Sequence, residues 1–446
     1  MAKQYNFTEG NIFKQLFIFS GPIILTNLLQ ISYQFVDSLW VGNLIGEDGL
    51  GAVSLAGTVL ATVLAFVIGL NNAALTILSQ QKGRGSEQGL KRYLNAFIVI
   101  LTIMSLVLGI FGYLFSESIL RLMGTPESMI AMADSYLKIN FLGIIFIFGY
   151  NFIGTVFRSV GNSKTPLYFV LIAVICNAIL DPIFISTFDL GIEGAAIATV
   201  FSQALAFTIG AIYTIRKKLV PLVKPYLPSK AEVVTILKMG IPAGLQMSVI
   251  SAGVMAIMSV VNSFGVSVVA GYGAAKRLDS IIMLPAQALA TSVNSMAGQN
   301  IGAGNWKRVH RITLYGFLYS TTVMLFFVLL IFIFAEYGIK LFIKEPHAVQ
   351  FGTEYLKIIA FFYPFLGINF ILNGTVRAAG AMTQVLILNL ISFWVLRFPL
   401  TYLFAEQFGQ QGIGYGMGMS FFISSIFAYA YYRYGKWQQK EVIKAR

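Results

Sequence analysis

Apolar residues fill most of this chain in long stretches, and short polar segments separate one stretch from the next. Each stretch holds roughly 20 residues or more, enough to cross a hydrocarbon core of about 30 Å at a helical rise of about 1.5 Å per residue. The pattern predicts twelve transmembrane helices and leaves no room for a soluble domain between them. We place these helices at about 13–44, 49–80, 92–116, 130–158, 166–188, 191–215, 233–263, 268–298, 309–335, 352–376, 384–405 and 412–434.

The two halves of the chain repeat one another at an offset of about 220 residues. Pro22 in "SGPIILTNLLQ" matches Pro242 in "GIPAGLQMSVI", and "YLKI" occurs at 136–139 and again at 355–358. An even number of spans separates each matched pair, so the two halves have the same orientation. We therefore expect an all-α integral membrane protein, with twelve transmembrane helices in two pseudo-symmetric six-helix bundles around a central cleft.

The segment "RKKLVPLVKPYLPSK" at 216–230 interrupts the apolar pattern with three prolines and five basic residues. Such a segment is typical of a linker between two halves. The predicted organisation is an N-terminal bundle at 1–215, a cytoplasmic basic linker at 216–232, a C-terminal bundle at 233–434 and a cytoplasmic basic tail at 435–446.

Composition and charge agree with a membrane protein and indicate its orientation. The chain is 57% hydrophobic and 11% charged, with a mean hydropathy of +0.77, and a soluble domain of this size would expose too much apolar surface. Basic residues concentrate in the N-terminus, in alternate loops and in the C-terminal tail. By the positive-inside rule that side is cytoplasmic, which predicts a multi-pass protein of the cell membrane with both termini in the cytoplasm. The net charge of +13 then needs no nucleic-acid partner.

Two aspartates fall inside predicted membrane helices, Asp37 in "YQFVDSLWVG" and Asp181 in "CNAILDPIF". An aspartate in the bilayer costs roughly 2.5–3.5 kcal/mol, so it persists where it faces a cavity or a partner. Counted from the acids at the outer helix ends, Asp37 lies about 15 Å and Asp181 about 12 Å into the membrane. Both belong to the first half, and we expect them to line one pocket that opens outward.

Polar side chains accompany both acids at helical spacing. Tyr33 precedes Asp37 by four residues, Asn177 precedes Asp181 by four, and Thr199 of the sixth helix lies at a comparable depth. Two carboxylates close together in a low dielectric cannot both ionise cheaply, so this pair can take up and release protons near neutral pH. The same oxygen atoms suit a hard cation such as sodium. The alternative is that each aspartate only makes structural hydrogen bonds to a helix broken near Pro22 or Pro182.

The sequence resembles the MATE family, the multidrug and toxic compound extrusion transporters, over essentially its whole length. Pro22 with Asp37, "AAKRLDSIIMLPAQALATSVNSMAGQNIGAGN" at 274–305 and "GTVFRSVGNSKTP" at 154–166 carry the resemblance. Within the family it is similar to the DinF-like branch, whose N-terminal polar network matches Tyr33, Asp37, Asn177, Asp181 and Thr199. The NorM-like branch has acids in helices seven and ten. This chain has none at 244–263, and at 352–376 it has Glu354 alone, at the outer end.

The resemblance implies a transporter, not an enzyme, that exports amphipathic and often cationic drug-like compounds in exchange for an inward ion. It also implies that Pro22 takes part in the conformational change, through a kink tied to protonation of the neighbouring acid. We expect protons as the coupling ion, with sodium as the alternative, no cofactor and no metal. The expected partners are the substrates and the membrane lipids, and the expected state is a monomer.

Four further charges lie in predicted helices of the second half: Lys276, Arg277, Asp279 and Arg397. The first three are close in sequence, which favours a local salt-bridged network over a substrate-side or interbundle cluster. Arg397 stands where the first half has Asp181, either as a second functional charge or as a snorkelling side chain.

Three other functions compete with drug export. A lipid-linked-oligosaccharide flippase would favour a strongly cationic cleft, which the acids of the first half argue against. An integral membrane enzyme needs a catalytic cluster, and the sequence shows none. A channel does not explain the repeat with isolated acids, which favours an alternating carrier.

Overall fold

A computed structural model describes residues 4–218, 220–221 and 224–440, and the regular structure in these ranges is helical. Positions 219, 222 and 223 of the predicted linker and 441–446 of the predicted tail lie outside the described residues. The first half contains α1 Ile12–Leu44, α2 Glu47–Gly83, α3 Glu87–Leu122, α4 Glu127–Leu142, α5 Ile144–Ser159, α6 Lys164–Pro182 and α7 Gly191–Lys217. The second half contains α8 Lys230–Asn262, α9 Val266–Ile282, α10 Leu284–Gly302, α11 Trp306–Lys340, α12 Pro346–Ala360, α13 Tyr363–Ala378, α14 Met382–Leu390, α15 Phe398–Phe408 and α16 Gly412–Tyr434.

Among the described residues, eight helical stretches are long and apolar enough to cross a membrane, and two bent pairs raise this number to ten. The stretch 382–434 counts once in that number, but at about 1.5 Å per residue it is far too long for one span. It reverses at Gly409–Gln411, because Gly412 contacts Phe404 while Gly416 contacts Leu400. The less apolar pair α9 and α10 occupies the predicted span at 268–298, and α9 carries three charged residues. The helices therefore fit the twelve predicted segments.

Breaks within helices recur at matching places in the two halves. The pair α4 and α5 bends by 53° at Gly143, and the pair α12 and α13 bends by 54°. A π-helical segment follows α6 at Ile183–Thr187, and another follows α14 at Ile391–Arg397. Each lies beside a proline, Pro182 or Pro399, and a proline removes one backbone hydrogen bond from the ladder. The shared breaks agree with the repeat in the sequence.

The chain divides into two compact units, which we call unit 1 (1–5 and 21–238) and unit 2 (6–20 and 239–446). The first turns of α1 thus belong to unit 2 and the rest of that helix to unit 1. Phe7, fully buried, explains this assignment: its carbonyl accepts from Nδ2 of Asn300 at 2.9 Å and from Nε of Arg308 at 2.8 Å. These hydrogen bonds tie the N-terminal segment to α10 and α11.

The C-terminal end of unit 2 is held by an aromatic contact. Trp437 is fully buried and stacks on Tyr432 with ring centroids 5.2 Å apart. Its Nε1 donates to the backbone carbonyl of Tyr432 at 2.7 Å, and the Tyr432 hydroxyl is 2.7 Å from Nδ1 of His310. The short helix at Lys436–Gln439 is therefore part of the packed structure.

Close packing of α7 against the first π-helical segment depends on Gly194. A Cβ atom there would lie 2.6 Å from the backbone carbon and oxygen of Phe184. Backbone atoms cannot move aside as the end of a side chain can, so this approach requires glycine. The contact sets the position of α7, which carries Thr199, against α6, which carries Asn177 and Asp181.

We expect Gly194→Ala to lower stability by about 2 kcal/mol, because overpacking against fixed backbone forces the two elements apart. The check is the apparent melting temperature of the purified protein in detergent. Gly57→Ala on α2 is the matched control, since a Cβ there meets no atom within 4 Å. Alanine favours a helix interior, so the control is expected to melt at the same temperature or higher. Equal melting of Gly194→Ala and the unaltered protein would contradict the packing argument.

Candidate functional site

Helix α6 presents Asn177 and Asp181 one turn apart on one face. Nδ2 of Asn177 donates to Oδ1 of Asp181 at 2.8 Å and lies 3.5 Å from Oγ1 of Thr199 on α7. Asp181 is fully buried, and Asn177 and Thr199 are nearly so. Three of the five predicted ion-coupling residues thus form one continuous polar contact.

The other two predicted residues, Tyr33 and Asp37, reach the same place from α1. Asp37 is buried, and its carboxylate is close enough to that of Asp181 for the two charges to interact. The Tyr33 hydroxyl approaches Thr199 and interacts electrostatically with both acids. It lies outside hydrogen-bonding geometry with its neighbours in the described structure. The structure therefore brings all five predicted residues together within unit 1.

Two further residues belong to this site and were not predicted from the sequence. Tyr136 on α4 is buried and interacts with Asp37, Asp181 and Thr199. Gln203 on α7 approaches the Tyr33 hydroxyl. Signals for both were present, because Tyr136 begins the repeated "YLKI" and Gln203 follows Thr199 by four residues, one helical turn.

Several buried oxygen atoms at this site have no hydrogen-bond donor among the described residues. They are Oδ1 of Asp37, Oδ2 of Asp181, Oδ1 of Asn177, Oε1 of Gln203 and the Tyr33 hydroxyl. Within the described ranges neither aspartate forms an ion pair, since every ion pair found there involves other acids. A buried, unpaired carboxylate is costly when charged, so the two carboxylates are suited to receive a proton, and the oxygen atoms together suit a hard cation.

Pro22 lies in the interior of α1, close to the boundary between the segments assigned to unit 2 and unit 1. Oγ1 of Thr26 donates to the Pro22 carbonyl at 2.7 Å, a contact that often accompanies helix bending. Pro22 is fifteen residues from Asp37, or about 22 Å along the helix. An effect of Asp37 on Pro22 would therefore act over about four turns of α1.

The four candidate charges of the second half all belong to unit 2. Asp279 forms an ion pair with Lys276 and also accepts from the Tyr363 hydroxyl at 2.5 Å. Tyr272 and Tyr355 pack edge to face beside this pair, with ring centroids 5.2 Å apart.

Arg397 is buried between two aromatic rings, 3.8 Å from the centroid of Phe393 and 4.6 Å from that of Phe421. Its Nε donates to Oγ of Ser420 at 3.2 Å. Arg277 instead lies over the ring of Phe342, at 5.5 Å. Thus unit 2 buries the positively charged Arg397, whereas unit 1 buries the carboxylates of Asp37 and Asp181.

A helical membrane protein with two repeated halves and a pair of buried acids without counter-charges in one of them has the architecture of a secondary transporter. The MatE family model matches the chain twice, at residues 22–183 and 242–403. The two matches begin and end 220 residues apart, which is the offset of the sequence repeat. The chain belongs to the MatE family, as its motifs had indicated, and it is a transporter and not an enzyme.

Individual relatives cover almost the whole chain. It is 59% identical over 436 residues to the "Probable multidrug resistance protein YpnP" of Bacillus subtilis (strain 168), covering 98% of each chain. It is 26% identical to the "Multidrug export protein MepA" of Staphylococcus haemolyticus (strain JCSC1435), covering 92% of this chain and 90% of that one.

A solved structure, the Vibrio cholerae MATE transporter VcmN in the bent form, matches with a TM-score of 0.91 and 25% identity. The match covers 96% of this chain and 97% of that one. MATE transporters have twelve helices in two bundles, and the predicted fold class is confirmed.

Proposed function

We propose that this protein is a secondary active multidrug efflux transporter that exports amphipathic, often cationic compounds in exchange for inward protons. The names of the two relatives, a probable multidrug resistance protein and a multidrug export protein, support the substrate class. The observation that carries the coupling is that unit 1 buries Asp37 and Asp181 close enough for their charges to interact, with Asn177 bonded to Asp181 and Thr199 and Tyr33 beside them.

Protonation and deprotonation of the two carboxylates couple the inward movement of protons to the export of the cation. When the site is open to the outside, Asp37 and Asp181 take up protons, the site loses its negative charge, and a cationic compound is released. When it is open to the inside, the protons leave to the cytoplasm and the restored charge attracts the next cation. Alternating access of this kind needs no cofactor and no reaction on the substrate. Pro22 is the expected point at which α1 bends when Asp37 is protonated.

The same site supports assignment to the DinF-like branch, because Asp37 and Asp181, which are buried without an ion pair among the described residues, both belong to the first half. We propose a monomer in the cell membrane with both termini in the cytoplasm, on the strength of the basic loops on that side. A lipid-linked-oligosaccharide flippase is less consistent with this site, because a pyrophosphate headgroup and paired carboxylates repel one another.

Transport by purified protein in lipid vesicles tests the proposal directly. We expect a fluorescent cationic dye to move against its gradient when a pH gradient is imposed, and not when a sodium gradient of equal size replaces it. Empty vesicles give the control for passive dye movement. Transport driven by sodium alone would replace protons with sodium as the coupling ion, because the oxygen atoms of the site suit either. Failure of both gradients to drive any of several cationic dyes would overturn drug export.

A further inference from the structure

A cavity of about 280 Å³ lies in unit 1 among α3, α5 and α7, away from the acidic site. Its walls are apolar, with side chains such as Leu101, Phe152 and Phe207. The hydroxyl of Ser105 donates to the carbonyl of Thr102 in its own helix, so it presents little polarity to the cavity. Ile215, at 62% exposure, lies at the edge of the cavity. The cavity therefore opens on the outer surface of the helices, where an acyl chain can enter.

A second cleft, of about 690 Å³, adjoins the end of this cavity, and the two share Ile215 and Val220 as lining residues. The cleft differs from the cavity because charged and polar side chains line it together with apolar ones. These include three lysines from three elements: Lys82 at the end of α2, Lys91 in the first turns of α3, and Lys218 after α7. An apolar cavity thus continues into a basic cleft at one end of the bundle.

The charges of the cleft leave two lysines available to a ligand. Glu87 also lines the cleft, but it forms an ion pair with Lys91 at 2.7 Å, and this contact lowers the pKa of Glu87. Lys82 and Lys218 are exposed and form no ion pair within the described ranges. Two unpaired ammonium groups beside an apolar cavity are complementary to a molecule with one anionic end and one long apolar end.

We propose that this combined site binds an anionic phospholipid, with one acyl chain in the apolar cavity and its phosphate between Lys82 and Lys218. Charge complementarity selects the headgroup, because basic side chains at the membrane surface attract acidic lipids. Continuity of the cavity with the cleft selects a lipid over a free anion, since a free anion leaves the apolar walls unfilled. The lysines disfavour a cationic transport substrate at this position. The site is distinct from the acids proposed to couple transport.

The test compares lipid binding by the whole protein and by three variants, using native mass spectrometry in detergent. Lys82→Gln/Lys218→Asn removes both ammonium groups, and asparagine suits position 218 because the residue there has a left-handed backbone, with φ of 48°. Ala211→Phe fills the cavity, whose wall includes Ala211. Lys164→Gln/Lys238→Gln is the matched control, with the same loss of charge at two exposed lysines of unit 1 outside the site.

We expect the unaltered protein and the control to retain phosphatidylglycerol in preference to phosphatidylcholine. A lysine near an acidic headgroup contributes roughly fivefold in affinity, so the double lysine variant should bind phosphatidylglycerol about 25-fold more weakly. Its binding of phosphatidylcholine is expected to stay unchanged. Ala211→Phe is expected to weaken both lipids, because it acts on the acyl chain and not on the headgroup.

Three results would overturn the proposal. The first is equal phosphatidylglycerol binding by the double lysine variant and the unaltered protein. The second is an equal loss in the control, which would indicate a general effect of surface charge. The third is full displacement of the lipid by glycerol 3-phosphate at matched concentration, which would make the cleft a site for a free anion.

Discussion

Replacing Asp37 with asparagine is expected to reduce proton-driven dye export to the background of empty vesicles while the protein remains folded. Asparagine has the same shape but cannot exchange a proton. Asp37 is buried without an ion pair among the described residues, so loss of its charge leaves no partner unpaired. The variant should therefore melt at the temperature of the unaltered protein or above it. Loss of transport without loss of stability is the expected result.

Glu47→Gln provides the matched control for this substitution, because Glu47 is an exposed acid in the first turn of α2. It undergoes the same chemical change, and we expect its export to equal that of the unaltered protein. Export and melting temperature are to be measured on the same preparations. Persistence of proton-driven export in Asp37→Asn would remove Asp37 from the coupling mechanism, and with it the central part of the proposed function.

The second large effect is expected at Asp279. There the same chemical change, aspartate to asparagine, should lower the stability of the protein, which Asp37→Asn is expected to leave intact. Asp279 accepts from Lys276 and from Tyr363, and its side chain is 8% exposed against 34% for Lys276. Asp279→Asn leaves a partly buried ammonium group without its counter-charge. Breaking a fully buried ion pair costs roughly 3–5 kcal/mol, and solvent reaching Lys276 reduces this to about 2 kcal/mol.

A double-variant cycle separates the ion pair from the other contacts of Asp279. Lys276→Gln/Asp279→Asn removes both charges, and we expect it to recover most of the stability that Asp279→Asn loses. Thermal unfolding in detergent measures all four proteins. Independent, additive losses from the two single substitutions would show that the pair is not what holds this part of unit 2 together.

Much of the candidate site follows from the sequence, because helical geometry alone relates its residues. Depth counted along each helix placed Asp37 and Asp181 at similar levels, and the spacing of four residues assigned Tyr33 and Asn177 to them. The structure brings these side chains together, although their role in transport stays a prediction. Tyr136 could not be chosen in the same way, because a tyrosine in an apolar helix is as typical of packing as of a polar site.

Features that depend on tertiary contacts could not be predicted from the sequence. The apolar pattern gave one span at 268–298, but the structure divides it into α9 and α10 at Met283. The pattern also gave no sign that residues 6–20 group with unit 2. Hydrogen bonds from Asn300 and Arg308 to Phe7 accompany that grouping, and they join residues 293 and 301 positions apart along the chain. Likewise, the spacing of Lys276 and Asp279 predicted their ion pair, but it gave no sign of the hydrogen bond from the Tyr363 hydroxyl to Asp279.

The buried Phe7 and Trp437 have a practical consequence for anyone who attaches a reporter to this transporter. Each aromatic ring is fully buried within unit 2. A truncation that removes either ring would leave a cavity among the helices against which the ring packs. A fluorescent protein is better fused after Lys440, through a flexible spacer, than directly after Tyr434. Transport is then measured on a protein that keeps Trp437.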